Sequence, residues 1–198
     1  MSQHMSRNYR TRTQEEVKEQ FGRSSNEPHK VKQIYLANDL FSEANRHYNE
    51  HVASTIEDTF EENVVMYVPQ RNLGINDKDA YADSQMILKA DYEALKESDI
   101  LVAILDSNDV GVALEIGMAY MLDIPIIGLF TDVRQQGTDN PKKVKAIKTI
   151  GENQFIYLNL MLTGAVKERG ALVSTVEDLI QELDHYVVRK RGNRSEER

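Results

Sequence analysis

The chain has 198 residues, 40% apolar and 28% charged, which suits one domain with a sizeable core and short tails. A net charge of −8 and a pI near 5.2 argue against a nucleic-acid backbone or an anionic membrane as the main partner. With no cysteine, disulfides, zinc-thiolate sites and cysteine nucleophiles are excluded.

Residues 1–30 are polar, lack a sustained apolar period and read as an extension. Within them MSQH reads as an added leader ahead of Met5, and TQEEVKEQF, with Val17 and Phe21 spaced i,i+4, is at most a short helix. KQIYLA (32–37) is a short apolar run suited to a buried strand. Ala44, Tyr48, Val52, Ile56 and Phe60 then recur at every fourth residue, one stripe of a long helix. VVMYV (64–68) is a second strand, followed by the polar loop PQRNLGINDKDAYAD. SQMILKADYEALKES (84–98) reads as an amphipathic helix, DILVAIL (99–105) as a third strand and GVALEIGMAYML as a third helix. Asp123, Ile124 and Pro125 lead into the strand PIIGLF.

Beyond a Gly/Asn/Pro loop around 137–141 the pattern predicts a short helix, a strand QFIYLN, a helix LMLTGAVKERG and a last helix from Ser174. Ser174 and Glu177 there match an S-x-x-E capping box. RKRGNRSEER is a charged tail, so the domain is expected over 31–188, between an extension at 1–30 and a tail at 189–198. No signal peptide or long apolar run is visible, and the expectation is a cytoplasmic protein.

Apolar strands alternating with amphipathic helices predict a five-stranded parallel sheet with helices on both faces. Ligands in such folds bind at the C-terminal ends of the strands near the topological switch point, which singles out the chain after Tyr35, Val68 and Leu105. Of the histidines, His47 and His51 have helical i,i+4 spacing, but without an HExxH-like frame they read as a solvated helix face rather than a metal site.

Three carboxylates and a tyrosine stand out. Asp91 falls on the apolar stripe of the second helix between Ile87 and Leu95, with Ala94 beside it, a costly place unless the group is hydrogen-bonded or functional. Asp109 precedes Val110-Gly111 at the mouth of the third helix, where an N-cap is a sufficient explanation. Glu115 lies about one turn into that helix, where the dipole favours an ionised carboxylate. Val112, Ile116, Ala119 and Tyr120 are expected to face the sheet, which turns Glu115 to the helix flank and the crevice. Tyr35, in the first strand, is either a core aromatic or a phenol that orients Glu115.

YLANDLF, an aspartate in an apolar helix ahead of a D-I-x-V-A strand, D-V-G-x-x-x-E-I-G-x-A and a later N-L-M (Asn159-Leu160-Met161) together resemble the nucleoside 2-deoxyribosyltransferases over roughly 32–185. The resemblance implies a flavodoxin-like α/β fold and the transfer of 2-deoxyribose between nucleobases, with free 2′-deoxynucleosides as donors. It implies that Glu115 attacks C1′ to give a covalent deoxyribosyl-enzyme with overall retention, that Tyr35 positions Glu115, and that Asp91 handles the proton on the base. Asp109 and Asn159 would hold the sugar 5′-hydroxyl, Met161 would lie against the base, and Phe41, in the first motif, would also contact substrate. Asn159 and Met161 would come from a neighbouring subunit, so a homo-oligomer with shared sites is implied. No cofactor or metal is expected, and neither nucleic acid nor membrane as a partner.

Asn38 stands where the family often has glycine, and asparagine tolerates the left-handed backbone such a turn needs. Gln70 and Asn72 are candidates for reading the base. The first alternative is a deoxynucleoside 5′-monophosphate N-glycosidase, which carries serine where Asp109 stands. A carboxylate there would repel a phosphate by about 1–4 kcal/mol at 4 Å. A non-catalytic nucleotide-sensing module is the second; its phosphate-cradling signatures GxGxxG and GxxxxGK[ST] are absent.

Overall fold

The computed structural model describes residues 31–76, 81–136, 139–146, 148 and 158–187. Five parallel strands form one sheet: β1 (Lys32–Ala37), β2 (Val64–Tyr67), β3 (Ile100–Ile104), β4 (Ile126–Leu129) and β5 (Gly170–Val173), in the order β2-β1-β3-β4-β5. That is the flavodoxin-like order, with its switch point between β1 and β3. The helices are α1 (Glu43–Phe60), α2 (Ser84–Glu97), α3 (Val110–Met121), the short α4 (Pro141–Ala146), α5 (Leu160–Arg169) and α6 (Val176–Leu183). The loop after β2 also holds a 3-10 turn, Pro69–Arg71, and a single helical turn, Leu73–Asn76.

The period of two along each strand divides the core. Ile34 and Leu36 of β1, with Val102 and Ile104 of β3, point to the face covered by α1 and α6, where Val52, Ile56, Phe60, Leu179 and Leu183 close the layer. Tyr35 and Ala37, with Leu101 and Ala103, point to the opposite face, under Leu95 of α2, Val112, Ile116 and Ala119 of α3 and Val166 of α5. Both faces are buried, which is why β3 and β4 read as unbroken apolar runs.

Caps set where the longer helices begin. Ser42, Asp83, Asp109, Asn159 and Thr175 each accept a backbone N–H from the first turn they precede, a bond whose loss costs about 1 kcal/mol. The last of these corrects the expected capping box: Thr175, not Ser174, accepts from Asp178 N, so α6 starts one residue later.

The fifth strand also differs from the expectation. Most of QFIYLN lies outside the described residues, and Leu158 and Asn159 are not strand; β5 is Gly170–Val173, which begins at the last residue of the segment expected to be a helix, LMLTGAVKERG. Its first residue must be small, since a Cβ on Gly170 would lie 2.2 Å from the Ile126 carbonyl oxygen. On α2 only Leu95 is buried, and Ile87 is 38% exposed, so the apolar stripe is narrower than expected. Ala44 is likewise exposed at the start of α1. TQEEVKEQF and the charged tail lie outside the described residues. Among the described residues no helix is long and apolar enough to cross a membrane.

Candidate active site

The crevice above the split between β1 and β3 gathers side chains from four elements. Tyr35 of β1 is paired in register with Leu101 of β3 on one side and Tyr67 of β2 on the other. It is wholly buried, yet its hydroxyl is not wasted on the core: it donates to Glu115 Oε1 at 2.5 Å. Glu115 reaches it because Val112, Ile116 and Ala119 fix the sheet-facing side of α3. Tyr120 does not share that face fully; it is half-buried under Arg169, whose guanidinium lies 4.6 Å from the ring centroid.

Asp91 of α2 sits beside this pair. The Tyr67 hydroxyl lies 3.3 Å from Asp91 Oδ1, and Asn72 Nδ2 donates to that hydroxyl at 3.1 Å. Tyr35 and Tyr67 stack at 5.0 Å between centroids, with 31° between ring planes.

Electrostatically the cluster is anionic. Burial pushes Glu115 up to about 7; the Tyr35 bond works against that, and the charges of Asp91 and Asp109 add to it. The expected dipole stabilisation is thus outweighed, because Glu115 lies beyond the first turn of α3, where the dipole acts. Burial also raises Asp91, against the pull of the Tyr67 hydrogen bond. Both phenols are raised in turn, by burial first.

Asp109 is the α3 cap: its Oδ1 accepts from Gly111 N at 2.8 Å and Val112 N at 3.0 Å, and Oδ2 takes no part in the cap. Gly111 is needed for that closeness, since a Cβ there would meet Asp109 Oδ1 at 2.8 Å. The neighbouring Asp106 is structural; it accepts from Thr131 N and Thr131 Oγ1, both at 2.7 Å, and ties the end of β3 to the end of β4.

The remaining candidates lie outside the cluster. Asn159 is exposed and caps α5, accepting from Met161 N at 2.9 Å. Met161 is 87% exposed and Phe41, in the loop after β1, 84% exposed. Gln70 is buried and committed elsewhere, accepting from Asn49 Nδ2 and donating to the Arg46 carbonyl and to Glu50 Oε1, which removes it as a reader of the base. Asn38 does not adopt a left-handed backbone; among the described non-glycine residues only Glu61, Asn108 and Asp123 do. Its amide instead donates to Asn49 Oδ1 at 2.7 Å. His47 is exposed and lies 3.6 Å from Glu43, and among the described residues no His/Asp/Glu group is placed to hold a metal.

Chemically, this is an ionisable carboxylate held at one oxygen by a phenol, with a second carboxyl alongside whose ionisation burial also raises. Such a pair suits nucleophilic attack coupled to proton transfer. Tyr67 and Asn72 were not singled out by sequence in these roles; they become visible only through the β1–β2 register.

The sequence model of the nucleoside 2-deoxyribosyltransferases matches residues 34–161, more than half of the chain and a span that includes Tyr35, Asp91, Asp109, Glu115, Asn159 and Met161. Among solved structures, a conserved protein from Enterococcus faecalis V583 is 47% identical, with 79% of this chain and 99% of that one covered and a TM-score of 0.73. The 2-deoxyribosyltransferase of the psychrotolerant bacterium Bacillus psychrosaccharolyticus is 20% identical over 80% of this chain and 98% of that one, with a TM-score of 0.54, a likeness of fold. A CMP N-glycosidase from Clostridium botulinum is 19% identical over 79% and 100%, with a TM-score of 0.45. No curated protein matches the chain.

Proposed function

The chain belongs to the nucleoside 2-deoxyribosyltransferase family, and on that premise we propose that it exchanges the base of free 2′-deoxynucleosides through a covalent intermediate on Glu115. The observation that carries the reading is the 2.5 Å bond from Tyr35 to Glu115 Oε1. It fixes one carboxylate oxygen and leaves Oε2 to attack C1′. As the Oε2–C1′ bond forms, the C1′–N bond breaks, its electron pair goes to the base, and Asp91 supplies the proton the base needs. Positive charge building at C1′ is stabilised by the carboxylate on the opposite face. A second base then attacks C1′ from the side the first one left, gives its proton to Asp91 and releases Glu115, so the sugar keeps its configuration.

Asp109 supports nucleosides over 5′-monophosphates as donors. Its carboxylate already occupies the Gly111 and Val112 amides at the α3 N-terminus, groups that would otherwise attract a phosphate. Assembly is part of the reading. Leu160 and Met161 are exposed at the start of α5, while Val166 further along is fully buried against its own sheet, and an exposed apolar segment of that kind suits a neighbour's pocket.

The reading is tested by incubating the protein with deoxyinosine plus adenine, and with thymidine plus adenine, and separating the products. New deoxyadenosine is the expected result. No new deoxynucleoside with any donor–acceptor pair sinks the transferase reading, and faster release of base from a deoxynucleoside monophosphate favours the hydrolase. Mixing inactive Glu115→Ala subunits with Asn159→Ser subunits, which keep a capping oxygen, tests the shared site. Recovered activity supports it; none, despite subunit exchange and an Asn159→Ser defect, places α5 in its own subunit's site.

A further inference from the structure

Tyr35 and Tyr67 stand opposite each other in the β1–β2 register, and their hydroxyls reach different carboxylates: Tyr35 that of Glu115, Tyr67 that of Asp91. The second pair has a feature the first lacks. Asn72 Nδ2 lies 3.1 Å from the Tyr67 oxygen, and an amide nitrogen can only donate. The Tyr67 oxygen is therefore the acceptor in that bond, and the phenol's single hydrogen is left to point at Asp91 Oδ1, 3.3 Å away. With a hydrogen already directed at Oδ1, a proton carried by Asp91 belongs on Oδ2.

We propose that Tyr67, aligned by Asn72, is the positioning residue of Asp91, holding Oδ1 as an acceptor so that the carboxyl proton is presented from Oδ2. The proposal rests on the base-exchange reading and adds to it the atom from which the proton moves. In the first half-reaction the Oδ2 proton goes to the departing base as the C1′–N electron pair leaves with it. In the second, the incoming base returns a proton to Oδ2. The Tyr67 hydrogen stays on its own oxygen throughout.

Tyr67 is not itself the acid. Burial first, and the charges of Asp91 and Glu115 after it, push its ionisation up, and the Asn72 bond does not reverse that. The groups facing Asp91 are Tyr67 from β2, Tyr35 from β1 and Glu115 from α3. Among these the Tyr67 hydroxyl acts on Asp91 by a hydrogen bond that favours its ionised form, while burial favours the neutral one. Removing the Tyr67 hydroxyl therefore leaves Asp91 protonated to higher pH, but with its proton no longer confined to Oδ2.

The test uses the full chain labelled with 13C at the aspartate carboxyls, the Asp91 signal being assigned by its loss in Asp91→Asn. Wild type, Tyr67→Phe and Asn72→Ala are titrated, then assayed with a natural deoxynucleoside and with a donor carrying an activated leaving group. Tyr67→Phe keeps the ring that stacks on Tyr35, and Asn72→Ala probes the same hydroxyl without touching β2. The expected result is an Asp91 midpoint at higher pH in Tyr67→Phe, with a smaller move the same way in Asn72→Ala. Turnover of the natural donor falls by about tenfold, a fraction of what a general acid contributes, and the activated donor is nearly unaffected. An unmoved midpoint overturns the proposal, as does an equal loss on both donors, which would make Tyr67 a strut. The titration needs no substrate. A wild type that exchanges no base while the midpoint moves as expected therefore defeats the base-exchange reading, and the proton route with it, but leaves the hydrogen bond standing.

Discussion

Two polar networks lie side by side at the C-terminal ends of β1 and β2, and they treat charge in opposite ways. In one, Asn38 donates to Asn49, Asn49 to Gln70, and Gln70 to Glu50. The chain ends on Arg71, which donates to Glu50 through Nε at 3.0 Å and Nη2 at 2.8 Å, and to Glu57 through Nη1 at 2.6 Å. Every carboxylate in it meets a guanidinium, and Arg71 holds Glu50 below the usual carboxylate range. In the other, Glu115 and Asp91 meet phenols, and burial raises both. The 3-10 turn Pro69–Arg71 separates the two, with Gln70 in the first network and Asn72, just beyond the turn, in the second. A compensated network holds α1 to the loop after β2; an uncompensated one holds its acids above their ordinary range, the shift that a site for proton and covalent chemistry calls for.

The contrast breaks most sharply at Glu115. Glu115→Ala is expected to lower turnover by about 10³-fold or more, the loss of a covalent nucleophile, while the melting temperature stays level or rises because a costly buried carboxyl has gone. Initial rates beside a thermal melt decide it. A variant that keeps a tenth of wild-type activity returns Glu115 to the status of a helix residue.

Asp91→Asn comes next. The amide cannot give a proton, so natural bases should lose about 10²–10⁴-fold, and a donor with an activated leaving group much less. Rates with the two donors separate the roles, and equal losses would mark Asp91 as structural.

The pH dependence of stability sharpens the same point. Glu115, with an ordinary value of 4.5 and a folded value of about 7, binds its proton more tightly in the folded chain than in the unfolded one. Its contribution is therefore most favourable below pH 4.5 and declines as pH rises toward 7, by about 3 kcal/mol in all. Glu115→Gln should remove that decline, so that wild type and variant converge at low pH and the variant is the more stable at pH 8. Asp91, raised in the same direction, adds a slope that both proteins share. Urea unfolding across pH 4–8 measures the difference, and parallel curves would contradict it. In wild type, kcat/KM should rise through about pH 7 as Glu115 ionises.

Much of this was legible in the residues, for identifiable reasons. The first four strands are continuous apolar runs and the long helices carry their caps, so the order of elements through β4 follows from period and punctuation. β5 was not legible, because GALV directly continues a helical segment and becomes a strand only by pairing with Ile126–Leu129. Glu115 and Asp91 announced themselves as acids among apolar neighbours, even though Ile87, used to define the α2 stripe, is exposed. Tyr67 did not: nothing in VVMY distinguishes a packing tyrosine from one bonded to an acid, and the partner lies 24 residues away on another element. Gln70 failed in the other sense, since a polar residue in a loop looks available until α1 is seen packed over it.

That last difference yields the smallest effect and the cleanest separation of the two networks. Gln70→Leu keeps the volume but removes the acceptor for Asn49 Nδ2 and the donor to the Arg46 carbonyl and Glu50 Oε1. Asn49 Nδ2 retains the Asp39 carbonyl at 3.1 Å, and Glu50 retains Arg71, so no charge is left bare. What remains unpaired is one amide hydrogen of Asn49, while the Arg46 carbonyl, inside α1, keeps its place in the helical ladder, an expected loss of about 1–2 kcal/mol of stability. The neighbouring site should not register it: kcat/KM for purine and pyrimidine donors should stay within about twofold, since none of the Gln70 bonds reaches Tyr35, Asp91 or Glu115. Chemical denaturation and a two-donor assay settle it together. A preserved stability, or a tenfold change in the preference between base classes, would mean that Gln70 leaves this network to meet the base.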